Sequence, residues 1–308
     1  MSNFQLTTPV ALIIFNRPET TMRVFEEVRA AQPPKLLVVA DGARPHREGE
    51  AERVEQARAV IKQVDWDCEV LTNYSEVNLG CRGRVSSGLD WVFETVEEAI
   101  VLEDDCLPHP TFFRFCQEML DRYRHDERVG VIAGTNFGQN LQQPYSYYFS
   151  RYLPITGWAS WRRVWKYYDV TMKMFPEVRD NGVLQALLGE PFLVKYWMKV
   201  FESAYQGHET TWDYQFIFAV WMQNMVNVIS NVNLITNIGF GTDATHVADP
   251  NFPTANVPYE PMEFPLKHPP YINKETHFSE YIRKVLLTWS ISHRVKRKVK
   301  SLVAGNGH

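Results

Sequence analysis

The feature that most constrains this chain is an alternation. Through the first 135 residues, short aliphatic runs take turns with segments of helical periodicity. Residues 9–15, PVALIIF, are apolar throughout and stop at Asn16-Arg17-Pro18, which predicts a buried strand and a turn. Met22, Val24, Phe25 and Val28 then recur at near-helical spacing over 19–31, and Pro33-Pro34 halts that segment. The unit repeats: strand 35–40 closed by Asp41-Gly42, helix 48–64, strand 68–71, helix 85–96, strand 99–102 closed by Glu103-Asp104-Asp105, helix 110–123 and strand 129–133. Such alternation predicts an α/β fold with a mainly parallel, Rossmann-like sheet and helices on both faces. In sheets of that kind ligands bind beyond the carboxyl ends of the strands. Asn16, Arg17, Asp41, Asn78 and Asp104/Asp105 all follow strands and are therefore expected along one edge.

The later part of the chain reads differently. Ten Tyr, Trp and Phe residues fall between Tyr145 and Tyr168, and helices are expected at 160–168, 192–205 and 213–223. Seven prolines between 248 and 270 predict an irregular strap. We divide the chain into residues 1–135, which carry the donor-type edge, 136–282, an aromatic-rich half of the same domain, and a tail, 283–308. The tail holds seven Lys/Arg and no Asp/Glu, so the remainder carries 25 basic against 36 acidic residues, a formal charge of −11. An acidic body of this kind excludes nucleic acid as the partner by charge. Residues 283–300 mix apolar and basic side chains, as an interfacial helix drawn to anionic lipid does; a solvated basic helix is the alternative. The start, MSNFQLTTPV, lacks the pattern of a signal peptide, and the four cysteines form no CxxC pair. The expectation is a cytoplasmic protein, with peripheral contact at the inner face of the plasma membrane through the tail.

The strongest chemical signal is Ile100-Val101-Leu102-Glu103-Asp104-Asp105. Adjacent carboxylates at a strand end repel unless a cation or water covers them. Hard oxygen ligands suit Mg²⁺ or Mn²⁺, which also bind substrate phosphates; a solvated acidic turn is the plain alternative. Asp41 can accept from a base edge or ribose hydroxyl, or simply make an Asp-Gly turn. Asn16 and Arg17 end the first strand and can face a base or ribose; Arg82 and Arg84 can pair with phosphates, with a plain surface arginine as the alternative for either.

On these residues the segment from Pro9 to about Phe115 resembles the nucleotide-sugar-binding half of GT-A glycosyltransferases. Val101 to Cys106, followed by Pro110-Thr111-Phe112-Phe113, is similar to the Glu-Asp-Asp form of the DXD motif found in N-acetylglucosaminyltransferase I and its relatives. Most of the chain also resembles bacterial nucleotide-diphospho-sugar transferases, some of them labelled hemolysin-like. The resemblance implies that Asp105 binds the metal, that Asp104 lies near the donor's ribose or sugar and that Asp41 contacts uracil or ribose. It implies that Trp212-Asp213 supplies the catalytic base, although Tyr214 stands where those relatives have a second acid. Gly157-Trp158 resembles a Gly-Trp that precedes a helix there. Gly239 to His246, GFGTDATH, resembles a Gly-rich loop over the donor.

Asp213 suits that role chemically, because inverting transfer needs one carboxylate to accept the acceptor's proton; capping the helix that follows is its plain alternative. His246 is a candidate to complete the metal shell or touch a phosphate, against a plain surface histidine, with Asp243 a weaker candidate in the same loop. Trp158, Trp161 and Trp212 are the expected acceptor contacts, against a core role.

The implied activity is an inverting, Mn²⁺- or Mg²⁺-dependent hexosyl- or N-acetylhexosaminyltransfer. It runs from a UDP-sugar to a bacterial surface glycan or lipid-linked acceptor. The alternatives are a sugar-nucleotide nucleotidyltransferase and a non-catalytic, membrane-associated binding protein. Asn16-Arg17-Pro18-Glu19 disfavours the nucleotidyltransferase, because a Gly-rich basic loop belongs at that position.

Overall fold

The structure, a computed structural model, describes residues 4–136, 144–239 and 257–272. Its first half follows the alternation: β1 (Val10–Ile14), α1 (Pro18–Ala31), β2 (Lys35–Ala40), α2 (Glu50–Val60), β3 (Glu69–Tyr74), α3 (Gly80–Thr95), β4 (Glu98–Glu103), β5 (Cys106–Pro108), α4 (Thr111–Tyr123) and β6 (Val129–Ala133). The second half adds β7 (Tyr147–Ser150), β8 (Trp158–Trp161), α5 (Arg162–Trp165), α6 (Phe175–Asp180), α7 (Val183–Leu188), α8 (Pro191–Tyr205), α9 (Asp213–Met222), β9 (Val226–Ser230) and β10 (Ile235–Asn237). Eight strands form one sheet in the order β3-β2-β1-β4-β8-β6-β9-β7, and β10 pairs with β5 in a separate ribbon.

The sheet is mainly parallel. β3, β2, β1 and β4 run together, and β6 and β9 share their direction because β8 is antiparallel to both β4 and β6. β7 is the second reversed strand. β1, β2 and β6 are apolar at nearly every position and buried, as strands covered on both faces must be.

Strand register shows which residues share a face. Trp158 aligns with Val101 and Ala133, and Val101 aligns through Ala11 with Leu37. That face meets α3 and α9: a Cβ on Gly88 of α3 would lie 3.0 Å from a Val39 methyl, and Phe216 of α9 packs 5.4 Å from Trp158. The opposite face carries Tyr74, with Arg58 of α2 above its ring, and Phe149, packed on Tyr123 of α4. Helices therefore cover both faces.

Four local expectations change. Residues 160 and 161, expected to open a helix, end the strand 158–161, whose backbone pairs with β4 from Glu98↔Trp161 to Val101↔Trp158; within 160–168 only 162–165 are helical. α3 begins at Gly80, five residues before the expected 85, for a reason that lies in Asp41, given below. β3 runs on to Tyr74 because it pairs with β2 through Ala40↔Tyr74, although its partly exposed residues look polar. The helix expected at 48–64 is α2 from Glu50 to Val60 followed by a single 3₁₀ turn, 61–63.

Residues 257–272 form no helix or strand. They are laid across α4, β7 and β10 through Met262 N–H to Thr111 Oγ1 (3.0 Å), Ser146 N–H to the Lys267 carbonyl (2.8 Å) and Asn233 Nδ2 to the Pro258 carbonyl (3.0 Å). The tail, 283–308, with its expected membrane contact at 283–300, lies outside the described residues, as do Asp243 and His246. Among the described residues no helix is long and apolar enough to cross a membrane, and all four cysteines are free.

Candidate functional site

The parallel strands β1, β2, β3 and β4 deliver polar residues to one edge, and the first pair to meet is Arg17 with the carboxylates after β4. The Arg17 guanidinium forks. Nη2 donates to Asp104 Oδ1 and Nη1 to Asp105 Oδ2, the latter at 2.9 Å. The second oxygen of Asp104 accepts the Phe15 N–H at 3.1 Å, so Asp104 is held from two sides and buried. Asp105 keeps more freedom: its side chain is 17% exposed, and among the described residues its other oxygen meets only the weak Cys106 S–H donor at 3.4 Å. Arg17 is thus turned to the acidic run rather than toward a base or ribose.

Charge at this edge is unbalanced. Burial first, then Asp105 and Asp104, pushes the Glu103 carboxyl well above the usual carboxylate range. Burial raises Asp104 as well, against the pull of Arg17. Arg17 itself is held protonated: burial alone would lower its affinity for the proton, and the two carboxylates more than offset that.

Asp213 opens α9, and its charge also acts on Glu103, 110 positions earlier in the sequence. The Cys81 thiol at the start of α3 is pushed up to about 12 by burial, then by Glu103, Asp213, Asp105 and Asp41. The charges of carboxylates that follow β2 and β4 and that open α9 therefore all act on one thiol, which sequence reading did not single out. A half-buried Cys between Gly80 and Arg82 carries no local signal of that position.

The third approach is made by the segment after β10. β10 runs antiparallel to β5, with Asn237 opposite Cys106, and the Ile238 N–H donates to the Asp105 carbonyl at 2.8 Å. Gly239 follows, and a Cβ there would lie 2.8 Å from Asp105 Cβ and 2.8 Å from Arg17 Nη1. Only glycine lets the backbone pass so close.

A divalent ion suits this setting. Mg²⁺ and Mn²⁺ are commonly held by one or two carboxylates and complete their shells with water and substrate phosphate. Asp105 offers a partly exposed carboxylate, and the neighbouring negative charge exceeds what Arg17 neutralises. Among the described residues no group of three or more His, Cys, Asp and Glu side chains is arranged to hold a metal unaided.

The other expected site residues have different surroundings. Asp41 is buried with both oxygens engaged: Oδ1 accepts from the Gly42 and Leu79 N–H groups, both at 2.9 Å, and Oδ2 from Gly80 N–H at 2.9 Å and Asn78 Nδ2 at 3.0 Å. It caps α3 from a neighbouring strand, which is why that helix starts early. Asn16 donates to Glu50 Oε1 at 2.9 Å, and Glu50 also takes Arg44. Neither Glu50 nor Arg44 stood out in the sequence, because each reads there as an ordinary helix-end charge.

Arg84 is buried as a strut, donating to the Ala40 carbonyl at 3.1 Å, to Ser87 and to Asn73, so it ties the ends of β2 and β3 rather than facing solvent. Arg82 reaches instead toward Gly207, and its own N–H donates to the Thr210 carbonyl at 2.9 Å. That contact moors α3 to the segment leading into Asp213.

Trp158, Trp161 and Trp212 are buried, with 1%, 2% and 3% of their surface exposed, so they offer no ring face to an acceptor. Their job is packing. Trp158 meets Trp212 at 5.9 Å and Phe93 at 6.4 Å, and Arg163 covers Trp161. Gly157 adopts φ +65°, and a Cβ there would lie 2.5 Å from an Ile235 methyl, which accounts for the glycine in the Gly-Trp pair.

No protein-family model and no curated protein matches the sequence. Similar solved structures include a cytidylyltransferase from Leptospira borgpetersenii serovar Hardjo-bovis (strain JB197), with 9% identity, 52% of this chain and 63% of that chain covered, and a TM-score of 0.32. Mouse xyloside xylosyltransferase 1 in its apo form is another, with 11% identity, 71% and 84% covered, and a TM-score of 0.32. The chain thus spans under two thirds of the cytidylyltransferase. Likeness this loose argues for no activity, and neither match supports the specific resemblance to N-acetylglucosaminyltransferase I or to hemolysin-like proteins. Chemistry has to be argued from the site.

Proposed function

We propose that the protein is a divalent-cation-dependent glycosyltransferase that takes a nucleotide-diphosphate sugar, with a UDP-sugar as the first donor to test. The observation that carries this reading is the packing of Trp212 on Trp158, which pairs with Val101 of β4: it brings Asp213, the first residue of α9, to the strand end that carries Glu103 and Asp105. Transfer of a sugar needs a stabilised leaving diphosphate and a base for the attacking hydroxyl. A bound Mn²⁺ or Mg²⁺ supplies Lewis-acid stabilisation of the leaving group.

Every other part belongs to the chain. Asp105 is the carboxylate that would hold the ion, beside Gly239. Asp104, fixed by Phe15 and Arg17, keeps Arg17 aligned. Asp213 takes the acceptor hydroxyl's proton, and an inverting course follows if attack comes opposite the leaving group. The acceptor in this reading is a glycan or glycolipid.

Calorimetry with UDP, GDP and dTDP, each with and without Mn²⁺, tests the first half. Metal-assisted binding of one nucleotide, lost in Asp105→Ala, is expected; no binding of any of them refutes the reading. A donor-hydrolysis and transfer screen tests the second half. Asp213→Asn is expected to leave donor affinity intact and slow transfer by about 10²–10⁴-fold. Near-normal turnover in that variant would remove Asp213 from the chemistry.

A further inference from the structure

We propose that Arg17 is the resident counter-cation of the Asp105 site, and that it makes divalent-ion binding conditional on a bound nucleoside diphosphate. The inference rests on the transferase reading and adds a binding order to it. Its basis is the fork: one guanidinium binds Asp104 through Nη2 and Asp105 through Nη1, at 2.9 Å for the latter. The two arms are not equivalent. Asp104 is 3% exposed at its side chain and anchored by the Phe15 N–H, so losing Nη2 would strand a buried charge. Asp105 is 17% exposed, so the Nη1 arm can open toward solvent.

A divalent ion approaching Asp105 alone meets the positive charge of Arg17 on Oδ2, while Oδ1 lies against the buried Cys106 thiol. It has to displace Nη1, and the freed N–H is then left under the Gly239 backbone, where a Cβ would lie 2.8 Å away. A diphosphate changes that balance, because its oxygens accept from Nη1 while also offering ligands to the ion. Metal and nucleotide then strengthen one another's binding by the same factor. Lysine could satisfy one carboxylate but not hold both in a planar fork.

The test is Mn²⁺ binding followed by electron paramagnetic resonance of the free ion, with and without UDP, GDP or dTDP. It compares wild type, Arg17→Gln and Arg17→Lys, each checked for folding by circular dichroism. Wild type is expected to bind Mn²⁺ weakly alone and at least ~10-fold more tightly with the nucleotide. In Arg17→Gln, Mn²⁺ without nucleotide is expected to bind at least ~10-fold more tightly than in wild type, with the nucleotide's enhancement reduced in step. Arg17→Lys keeps a cation for Asp104 and shifts in the same direction by less, so the test survives if the Gln variant does not fold. Adding Asp105→Asn to either variant must abolish the gain.

Equal nucleotide-free affinity in wild type and both variants overturns the inference. Tight nucleotide-independent Mn²⁺ binding in wild type overturns it too, and leaves the transferase reading standing. Failure of wild type to bind Mn²⁺ even with a nucleotide overturns both.

Discussion

Replacing Asp41 with Ala separates two roles that the sequence alone leaves open, a ligand for nucleotide and a cap for a helix. The carboxylate accepts four hydrogen bonds, three of them from the backbone N–H groups of Gly42, Leu79 and Gly80 and one from the Asn78 amide, all between 2.9 and 3.0 Å. Hydrogen bonds to a charged group are worth roughly 1.5–3 kcal/mol each when the donors stay buried. Leu79 is exposed, however, and water can replace part of what is lost there. The expected cost is therefore about 3–4 kcal/mol, well below the sum of four full bonds. Asp41→Asn keeps one acceptor oxygen and turns an NH₂ toward two other donors, so it is expected to lose about 2 kcal/mol. Urea unfolding measures both, with a lower midpoint at unchanged slope. Hydrogen exchange should show the first turn of α3 opening while β2 stays protected. If Asp41→Ala unfolds at the wild-type midpoint yet no longer binds nucleotide, the capping argument fails and Asp41 is a ligand contact.

Two further outcomes follow from the packing around the site. Gly239→Ala is expected to retain the wild-type melting temperature within a few degrees but lose metal-assisted nucleotide binding by about tenfold or more, because the new methyl falls against Asp105 and Arg17; unchanged calorimetric affinity would show that the Gly239 backbone yields without consequence. His268 Nδ1 and the Tyr147 hydroxyl share a hydrogen bond at 3.0 Å, and burial, then Arg122, lowers the His268 pKa, with Glu118 opposing. The folded state thus binds fewer protons than the unfolded chain as pH falls below about 6.5, so stability is present above that pH and lost beneath it. Exchange protection of 257–272 should drop between pH 7 and 5 in wild type and stay flat in His268→Gln; a flat wild-type profile would refute the coupling.

How far the sequence could be read depended on whether the cause was local. β1, β2, β4 and β6 are buried on both faces, so their apolar runs announced them, and the Glu-Asp-Asp run declared itself by composition. The early start of α3 was hidden because its cap is Asp41, 38 positions before Leu79. Ser160 and Trp161 were read as the start of a helix because Trp158-Ala159-Ser160-Trp161 has no period of its own; they end a strand because β4 and β6 leave a slot between them. Arg84 looked like a surface phosphate ligand because nothing nearby in sequence shows that the Ala40 and Asn73 carbonyls need a donor. Trp158, Trp161 and Trp212 looked like acceptor platforms for the same reason: an aromatic's neighbours across a core cannot be seen along the chain.

The reversed strand β8 has a consequence for the three carboxylates that no local pattern carries. Because it runs against β4, its first residue, Trp158, lies beside Val101 near the carboxyl end. Trp158 packs on Trp212, and Asp213 comes next, so one antiparallel insertion brings α9 to the end of β4. Glu103 lies two positions beyond Val101 and pleats to that same face, the one α9 packs against through Trp212 and Phe216. Asp104 is committed elsewhere, to Arg17 and Phe15. The pleat and the fork thus divide the acidic run: Glu103 belongs with α9, Asp104 with β1, and Asp105, the partly exposed arm of the fork, is the one left to an outside cation. A chemistry that required three ligands from Glu103, Asp104 and Asp105 together would not fit this arrangement, whereas one needing a single carboxylate beside a bound diphosphate does.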